Sequence, residues 1–186
     1  SPPDSAGEAP PPAKAYFAGG CFWCMEEAFE KVEGVVSVVS GYMGGTLSDP
    51  TYEQVSAGRT GHAEAVEINY DPSKVSYQKL LEAFWRNIDP VTPNAQFCDH
   101  GSQYRSAVFY GTEEEQRLSE ESRSTIERSK RFSAPIVTQL VKASTFYPAE
   151  EYHQDYYKKT PVRYKYYKFS YGRSPRLEAV LAKSSY

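Results

Sequence analysis

Ala15-Tyr16-Phe17-Ala18-Gly19-Gly20-Cys21-Phe22-Trp23-Cys24-Met25-Glu26-Glu27-Ala28-Phe29 leads, six residues on, into Val35-Val36-Ser37-Val38-Val39. The stretch reads as strand, paired glycines, cysteine, helix, strand. The first strand is expected over 14–18, the helix over 22–32 and the second, largely buried strand over 35–39, with Glu33-Gly34 as the helix stop. This order puts Cys21 at or just before a helix N-terminus, where unpaired backbone N–H groups and the helix dipole favour thiolate over thiol. Two glycines allow close approach to the backbone, and Phe22 and Trp23 offer an apolar wall. A nucleophile beside a small apolar pocket is one reading; a cysteine serving as a small core residue is the other.

Working outward, Ser40-Gly41-Tyr42-Met43-Gly44-Gly45 is a glycine-rich loop and 52–57 a short helix. In His62 to Tyr70, period-two geometry puts Glu64, Val66, Ile68 and Tyr70 on one face and Glu67 on the other. A carboxyl on an apolar face tends to keep its proton, because desolvation disfavours the charged form. Alternatively, Glu64 sits at the wet start of the strand or pairs with Arg59 or Arg105. Ser76 is an N-cap for a helix to about Asn87, whose Leu80, Leu81, Phe84, Trp85 and Ile88 form a core stripe. A long loop from Asp89 to Tyr104 carries Cys98, Asp99, His100, Gln103 and Tyr104; loops of such length inside compact domains are usually functional. A strand over 106–110 follows, then a Thr112-to-Glu115 capping box opening a polar helix to about Lys130, and a strand over 136–141. Pro148 is expected to open a helix through His153 and Tyr157, ahead of an irregular tail from Thr160.

The 186 residues suffice for one domain with a real core. A net charge of −3 without a basic block argues against nucleic acid. No apolar run is long enough to span a bilayer. Three cysteines, an odd number, point to reactive or metal-binding thiols rather than a stapled scaffold. Residues 1–13 read as a disordered, Pro-rich leader and 14–186 as a single catalytic domain. A leader of this kind suits a protein exported after signal cleavage as well as a cytoplasmic one, so the compartment stays open. A monomer is expected.

The order strand-helix-strand-strand-helix-strand matches the split β-α-β arrangement of ferredoxin-like folds. The expected fold is therefore α+β, a two-layer core with a mixed sheet, an added helix and strand, and an irregular C-terminal tail. This topology has a consequence for chemistry. Strands one and two run parallel across the helical crossover, so Cys21 and Tyr42 leave the same end of the sheet. The third strand returns antiparallel and starts there with Glu64. The fourth is parallel to the third, so the preceding loop with Asp99 and Tyr104 arrives at that end too.

Gly20-Cys21-Phe22-Trp23, Ser40 to Gly45, Gly61-His62-Ala63-Glu64, Asp99 to Ser106 and Pro148-Ala149-Glu150-Glu151-Tyr152-His153-Gln154, in this order, resemble the A-type peptide methionine sulfoxide reductases. The resemblance implies reduction of the S-epimer of methionine sulfoxide, free or in oxidised proteins, in the repair of oxidative damage. It assigns Cys21 as nucleophile, Phe22 and Trp23 as the enclosure of the substrate methyl, Glu64, Tyr42 and Tyr104 around the sulfoxide oxygen, and Asp99 nearby. The residue types suit those roles. A sulfoxide oxygen leaves once protonated, which a neutral Glu64 can provide, and phenols donate where negative charge develops. An aromatic wall recognises a methyl by area, about 0.8 kcal/mol per buried carbon.

Cys21 would end as sulfenic acid, to be resolved by a second thiol. A common family pattern places that thiol in the C-terminal tail, but no cysteine follows His153 here. Cys24 and Cys98 are the candidates, Cys24 being favoured by its Cys-x-x-Cys spacing. Thioredoxin or a similar dithiol would reopen the disulfide, with no bound cofactor or metal expected. Two other readings compete. A thioredoxin-like disulfide oxidoreductase accounts for the dithiol but leaves Glu64, Tyr42 and Tyr104 without a role. A zinc module built from Cys21, Cys24, Cys98 and His100 has the right ligand types but an unfavourable long gap. His62, His153, Gln103 and Arg105 are read as structural, and Glu150 and Tyr152 as possible lining of the pocket edge.

Overall fold

The computed structural model describes residues 13–96, 99–130, 132 and 134–154. In chain order the elements are β1 (Ala13–Gly19), α1 (Phe22–Glu30), β2 (Val35–Met43), α2 (Tyr52–Ser56), β3 (Ala63–Tyr70), α3 (Tyr77–Arg86), β4 (Ala95–Gln96), β5 (Asp99–His100) and a 3-10 turn (Ser102–Tyr104). They continue with β6 (Ser106–Tyr110), α4 (Glu113–Arg128), β7 (Gln139–Lys142), β8 (Tyr147–Pro148) and a second 3-10 turn (Glu151–His153). The main sheet runs β7-β6-β1-β3-β2-β8. Its middle four strands, β6-β1-β3-β2, are antiparallel neighbours in the ferredoxin-like order. β7 joins parallel to β6, which makes the sheet mixed, and β8 adds antiparallel to β2. The expected α+β class and its added helix and strand, α4 and β7, are thus present.

Phe17 anchors the layer between sheet and helices. Its ring lies 5.4 Å from Phe29 of α1, 5.1 Å from Phe84 and 6.0 Å from Tyr77 of α3. The helices form where their local signals place them. Ser76 caps α3 by accepting the Lys79 N–H at 3.1 Å, and Thr112 caps α4 by accepting from Glu115 N–H at 3.1 Å. Glu115 reaches back past the N-cap to the Gly111 N–H at 3.1 Å, one residue short of a full capping box. The opposite face of the sheet is also covered. Ala18, Met43, Ala63, Ala65, Ala107 and Phe109 are buried there, with Tyr16, Ala143 and Phe146 against them. Small side chains at 63 and 65 let the segment after β7 lie close.

Several expectations need correction. β2 extends through Met43, so Ser40 to Met43 is strand and not loop. Gly41 permits this because a Cβ there would run into the Tyr147 carbonyl of the neighbouring strand. The Val35–Val39 run is only partly buried. A register shift between Val35 and Ser37 leaves Val36 66% exposed. The segment from Asp89 to Tyr104 contains the β4–β5 hairpin and a 3-10 turn. Buried Gln96 organises it, accepting the Asp89 N–H at 2.8 Å and donating to the Asp89 carbonyl at 2.6 Å. Pro148 closes β8 and opens no helix; the chain instead makes the 3-10 turn at Glu151–His153. The strand expected from 136 begins at Gln139, because Val137 N–H is already engaged by the Pro90 carbonyl at 2.7 Å. The expected leader, but for Ala13, and the tail from Thr160 lie outside the described residues.

Candidate active site

The end of the sheet where β1 and β2 finish and β3 and β6 begin collects the chemistry-bearing residues. Gly19 pairs with Ser106, and Tyr42 pairs with Glu64 directly across β2 and β3. The chain turns from β1 into α1 through Gly19 and Gly20. A Cβ at Gly19 would lie 2.7 Å from Ile88 and Met25, and Gly20 holds φ at +86°, a conformation that side-chain-bearing residues adopt at a cost. The turn sets Cys21 as the N-cap residue of α1, 3% exposed. Its carbonyl accepts the Cys24 N–H at 3.1 Å and the Met25 N–H at 3.3 Å. Cys21 therefore stands at the N-terminal end of α1, where the first backbone N–H groups and the helix dipole present partial positive charge.

Glu64 is 2% exposed, and its carboxyl accepts the Phe22 N–H at 3.3 Å. The bond brings the carboxyl to the residue next to Cys21 across 42 positions of sequence. Tyr42 is fully buried beside it, its ring 5.8 Å from Phe22. Tyr104 ends the first 3-10 turn and is half-buried. That turn is fastened to the rest of the site region by Gln103, which donates to the Ser56 carbonyl at 3.2 Å. Arg105 adds a bond from Nη2 to the Gly61 carbonyl at 3.0 Å. Of Asp99 only the backbone is described, paired with Gln96; Cys98 lies outside the described residues. Cys24 is a buried thiol one helical turn beyond Cys21. Among the described residues, no group of three or more His, Cys, Asp or Glu side chains is arranged to hold a metal, and no helix is long and apolar enough to cross a membrane.

Phe22 is fully buried and Trp23 half-buried, and both belong to an aromatic cluster wider than the sequence indicated. Tyr52 of α2 stacks at 6.1 Å from Phe22 and 6.3 Å from Trp23. His153 lies 4.2 Å from Tyr52, centroid to centroid. The Trp23 indole Nε1–H donates to His153 Nδ1 at 3.1 Å. Glu150 joins them, its Oε1 accepting the Tyr52 N–H at 3.1 Å and its Oε2 standing 3.5 Å from His153 Nε2. Burial pulls the His153 pKa below the ordinary imidazole value, with Glu150 opposing. Tyr52 carries no local signal of a site role, since a tyrosine opening a five-residue helix reads as surface. His62 does different work. Its Nδ1 accepts the Gly45 N–H at 3.0 Å and its Nε2 donates to the Leu47 carbonyl at 2.6 Å, clamping the turn after β2.

The family model described as peptide methionine sulfoxide reductase matches residues 13–185. A protein of Halalkalibacterium halodurans named peptide methionine sulfoxide reductase MsrA is 55% identical over 152 residues, 82% of this chain and 86% of that one. One of the same name from Listeria innocua is 49% identical, covering 89% and 94%. Among solved structures, the reduced form of Mxr1 from Saccharomyces cerevisiae superposes with a TM-score of 0.75 at 31% identity, covering 85% of this chain and 88% of that chain. Methionine sulfoxide reductase A of Corynebacterium diphtheriae gives 0.75 at 32% identity, over 83% and 77%. With the whole sheet and its helices inside the matched region, this chain belongs to the peptide methionine sulfoxide reductase family.

Proposed function

We propose that this protein performs the family's reduction of peptide methionine S-sulfoxide with Cys21 as nucleophile, Glu64 as proton donor and Cys24 as resolving thiol. The observation that carries the assignment is the 3.3 Å hydrogen bond from Phe22 N–H to the Glu64 carboxyl, which places a buried acid one residue from the N-cap cysteine. The Cys21 thiolate attacks the sulfoxide sulfur while Glu64 protonates the oxygen. The substrate gains two electrons and leaves as thioether. Cys21 loses two and becomes sulfenic acid, the oxygen ending on its sulfur. Tyr42 and Tyr104 donate to the oxygen as negative charge builds on it, and Asp99 orients water and neighbouring groups. Phe22 and Trp23 enclose the methyl. Cys24 then condenses with the sulfenic acid, forming the Cys21–Cys24 disulfide and releasing water.

A thioredoxin-type dithiol reduces that disulfide to close the cycle. In support, the yeast relative Mxr1 has been solved in complex with Trx2. Single-turnover reduction of the two methionine sulfoxide epimers, with thiols counted afterwards, tests the whole scheme. The expected result is consumption of the S-epimer alone with loss of two thiols, and of one thiol in Cys24→Ser. Loss of two thiols in Cys24→Ser would transfer the resolving role to Cys98. Reduction of added disulfides without consumption of either epimer would overturn the reductase reading.

A further inference from the structure

Arg105 closes the first 3-10 turn and stands between Tyr104 and the Gly19–Ser106 pair that opens β6. Its guanidinium is partly buried, and its three bonds go to three different segments. Nη1 donates to the Ser102 carbonyl at 2.8 Å, inside the turn that carries Tyr104. Nη2 donates to the Gly61 carbonyl at 3.0 Å, just ahead of β3 and Glu64. Nε donates to Gln139 Oε1 at 3.2 Å, at the start of β7. All three acceptors are neutral, and among the described residues no carboxylate pairs with Arg105. Burial pulls its pKa down with no acid to oppose it. A cation held this way adds no ion pair to the fold; what its planar fork supplies is geometry.

That geometry falls where the sheet provides none. β3 and β6 are not neighbours; β1 lies between them, so their starting ends stand about 10 Å apart. No direct backbone bond of the sheet sets one against the other. Yet Glu64 enters with β3 and Tyr104 with the turn before β6. A carboxyl and a phenol can share one sulfoxide oxygen only if both come within hydrogen-bond reach of the same point. We propose that Arg105 is a positioning residue for the oxygen-binding side of the site: its fork, passing the end of β1, fixes the turn of Tyr104 against the loop that leads to Glu64. Without that span the two ends drift independently, and a misplacement of about 1 Å costs up to about 10²-fold in rate. This proposal rests on Glu64 and Tyr104 acting together on the sulfoxide oxygen.

The test compares wild type with Arg105→Lys, which keeps the charge but lacks the planar fork, and Arg105→Met, which loses both. Each is measured with and without Tyr104→Phe, by the single-turnover rate of methionine formation from the S-epimer. Lys and Met are both expected to slow that step about tenfold. Tyr104→Phe, which alone costs about 10²-fold, should cost less than about fivefold in either background, because a phenol already out of place has little left to lose. Lost packing or stability alone would leave the two effects multiplicative. Gln139→Ala removes only the Nε acceptor, an exposed residue on the edge strand β7, and decides the matter if the Arg105 variants do not fold. It is expected to slow the step about threefold and to shrink the Tyr104→Phe effect. Without substrate, the Arg105 Nε–H resonance of ¹⁵N-labelled protein, assigned by its loss in Arg105→Lys, should exchange with solvent at least about tenfold more slowly than that of exposed Arg59. A wild-type rate in Arg105→Lys, multiplicative effects in the cycle, an unaltered rate in Gln139→Ala, or fast exchange at Nε would each overturn the proposal. If wild type reduces neither epimer, the reductase reading fails instead, and the exchange alone decides whether Arg105 is held in its clamp.

Discussion

Glu64→Gln separates the hydrogen bond this carboxyl makes from the proton transfer proposed for it. The amide oxygen can still accept the Phe22 N–H that Glu64 accepts at 3.3 Å, and the side chain keeps its volume at a position 2% exposed. What it loses is the transferable proton. Thermal stability should therefore change by no more than about 1 kcal/mol, the net worth of one hydrogen bond. General-acid catalysis by a positioned group contributes about 10²–10⁴ in rate, roughly 3–5 kcal/mol of barrier. The rate of sulfenic acid formation, followed under single turnover by quench and methionine quantitation, should drop by about that factor. A Glu64→Leu variant removes both roles, and it should lose the same rate together with additional stability. The reasoning is refuted if Glu64→Gln forms sulfenic acid within about tenfold of wild type, since no general acid of the usual strength can then reside there.

Tyr42→Phe and Tyr104→Phe should each slow the same step, by about 10²-fold for a single oxyanion donor. The double variant should fall short of the product if, as proposed, the two act on one oxygen, as quench-flow on the three variants would measure. Phe17→Ala, which removes a fully buried ring packed on Phe29, Tyr77 and Phe84, should cost about 3–5 kcal/mol in urea denaturation. His153 links stability to pH. Glu150, Trp23, Phe22 and Tyr52 surround it, and its folded pKa lies below the ordinary 6.5. The unfolded chain therefore binds the proton first. The contribution is fully present above pH about 6.5 and is lost as pH falls through the lowered folded pKa. The urea midpoint of wild type should drop on acidification in that window more than that of His153→Asn.

Much of the fold was legible because its signals are local. The alternation in β3, the caps at Ser76 and Thr112, and the strand at 106–110 each depend on a few neighbouring residues. The shift of β2 past Ser40 was not, because glycine-rich composition reads as loop until Tyr147 is known to lie against Gly41. The same holds for Val36, whose exposure follows from a register shift against β3. The helix expected after Pro148 gave way to a short strand and a 3-10 turn. There strand β2 and the side chain of Gln154 take hydrogen bonds a helix would have kept internal: the Ala149 N–H goes to the Ser40 carbonyl at 2.8 Å and the Ala149 carbonyl accepts from Gln154 at 3.0 Å.

The sequence by itself determined the strand-helix-strand-strand-helix-strand core, its order, and hence which end of the sheet receives Cys21, Tyr42, Glu64 and Tyr104. Period and topology depend on backbone geometry that each residue type biases in place. Only the tertiary structure decided which side chains touch. That the Glu64 carboxyl reaches the Phe22 N–H, that Tyr52 joins the aromatic cluster, and that His153 accepts the indole N–H of Trp23 are matters of a few ångströms. Contacts between residues separated by up to 130 positions are set by how whole layers pack. No pattern confined to one segment encodes them.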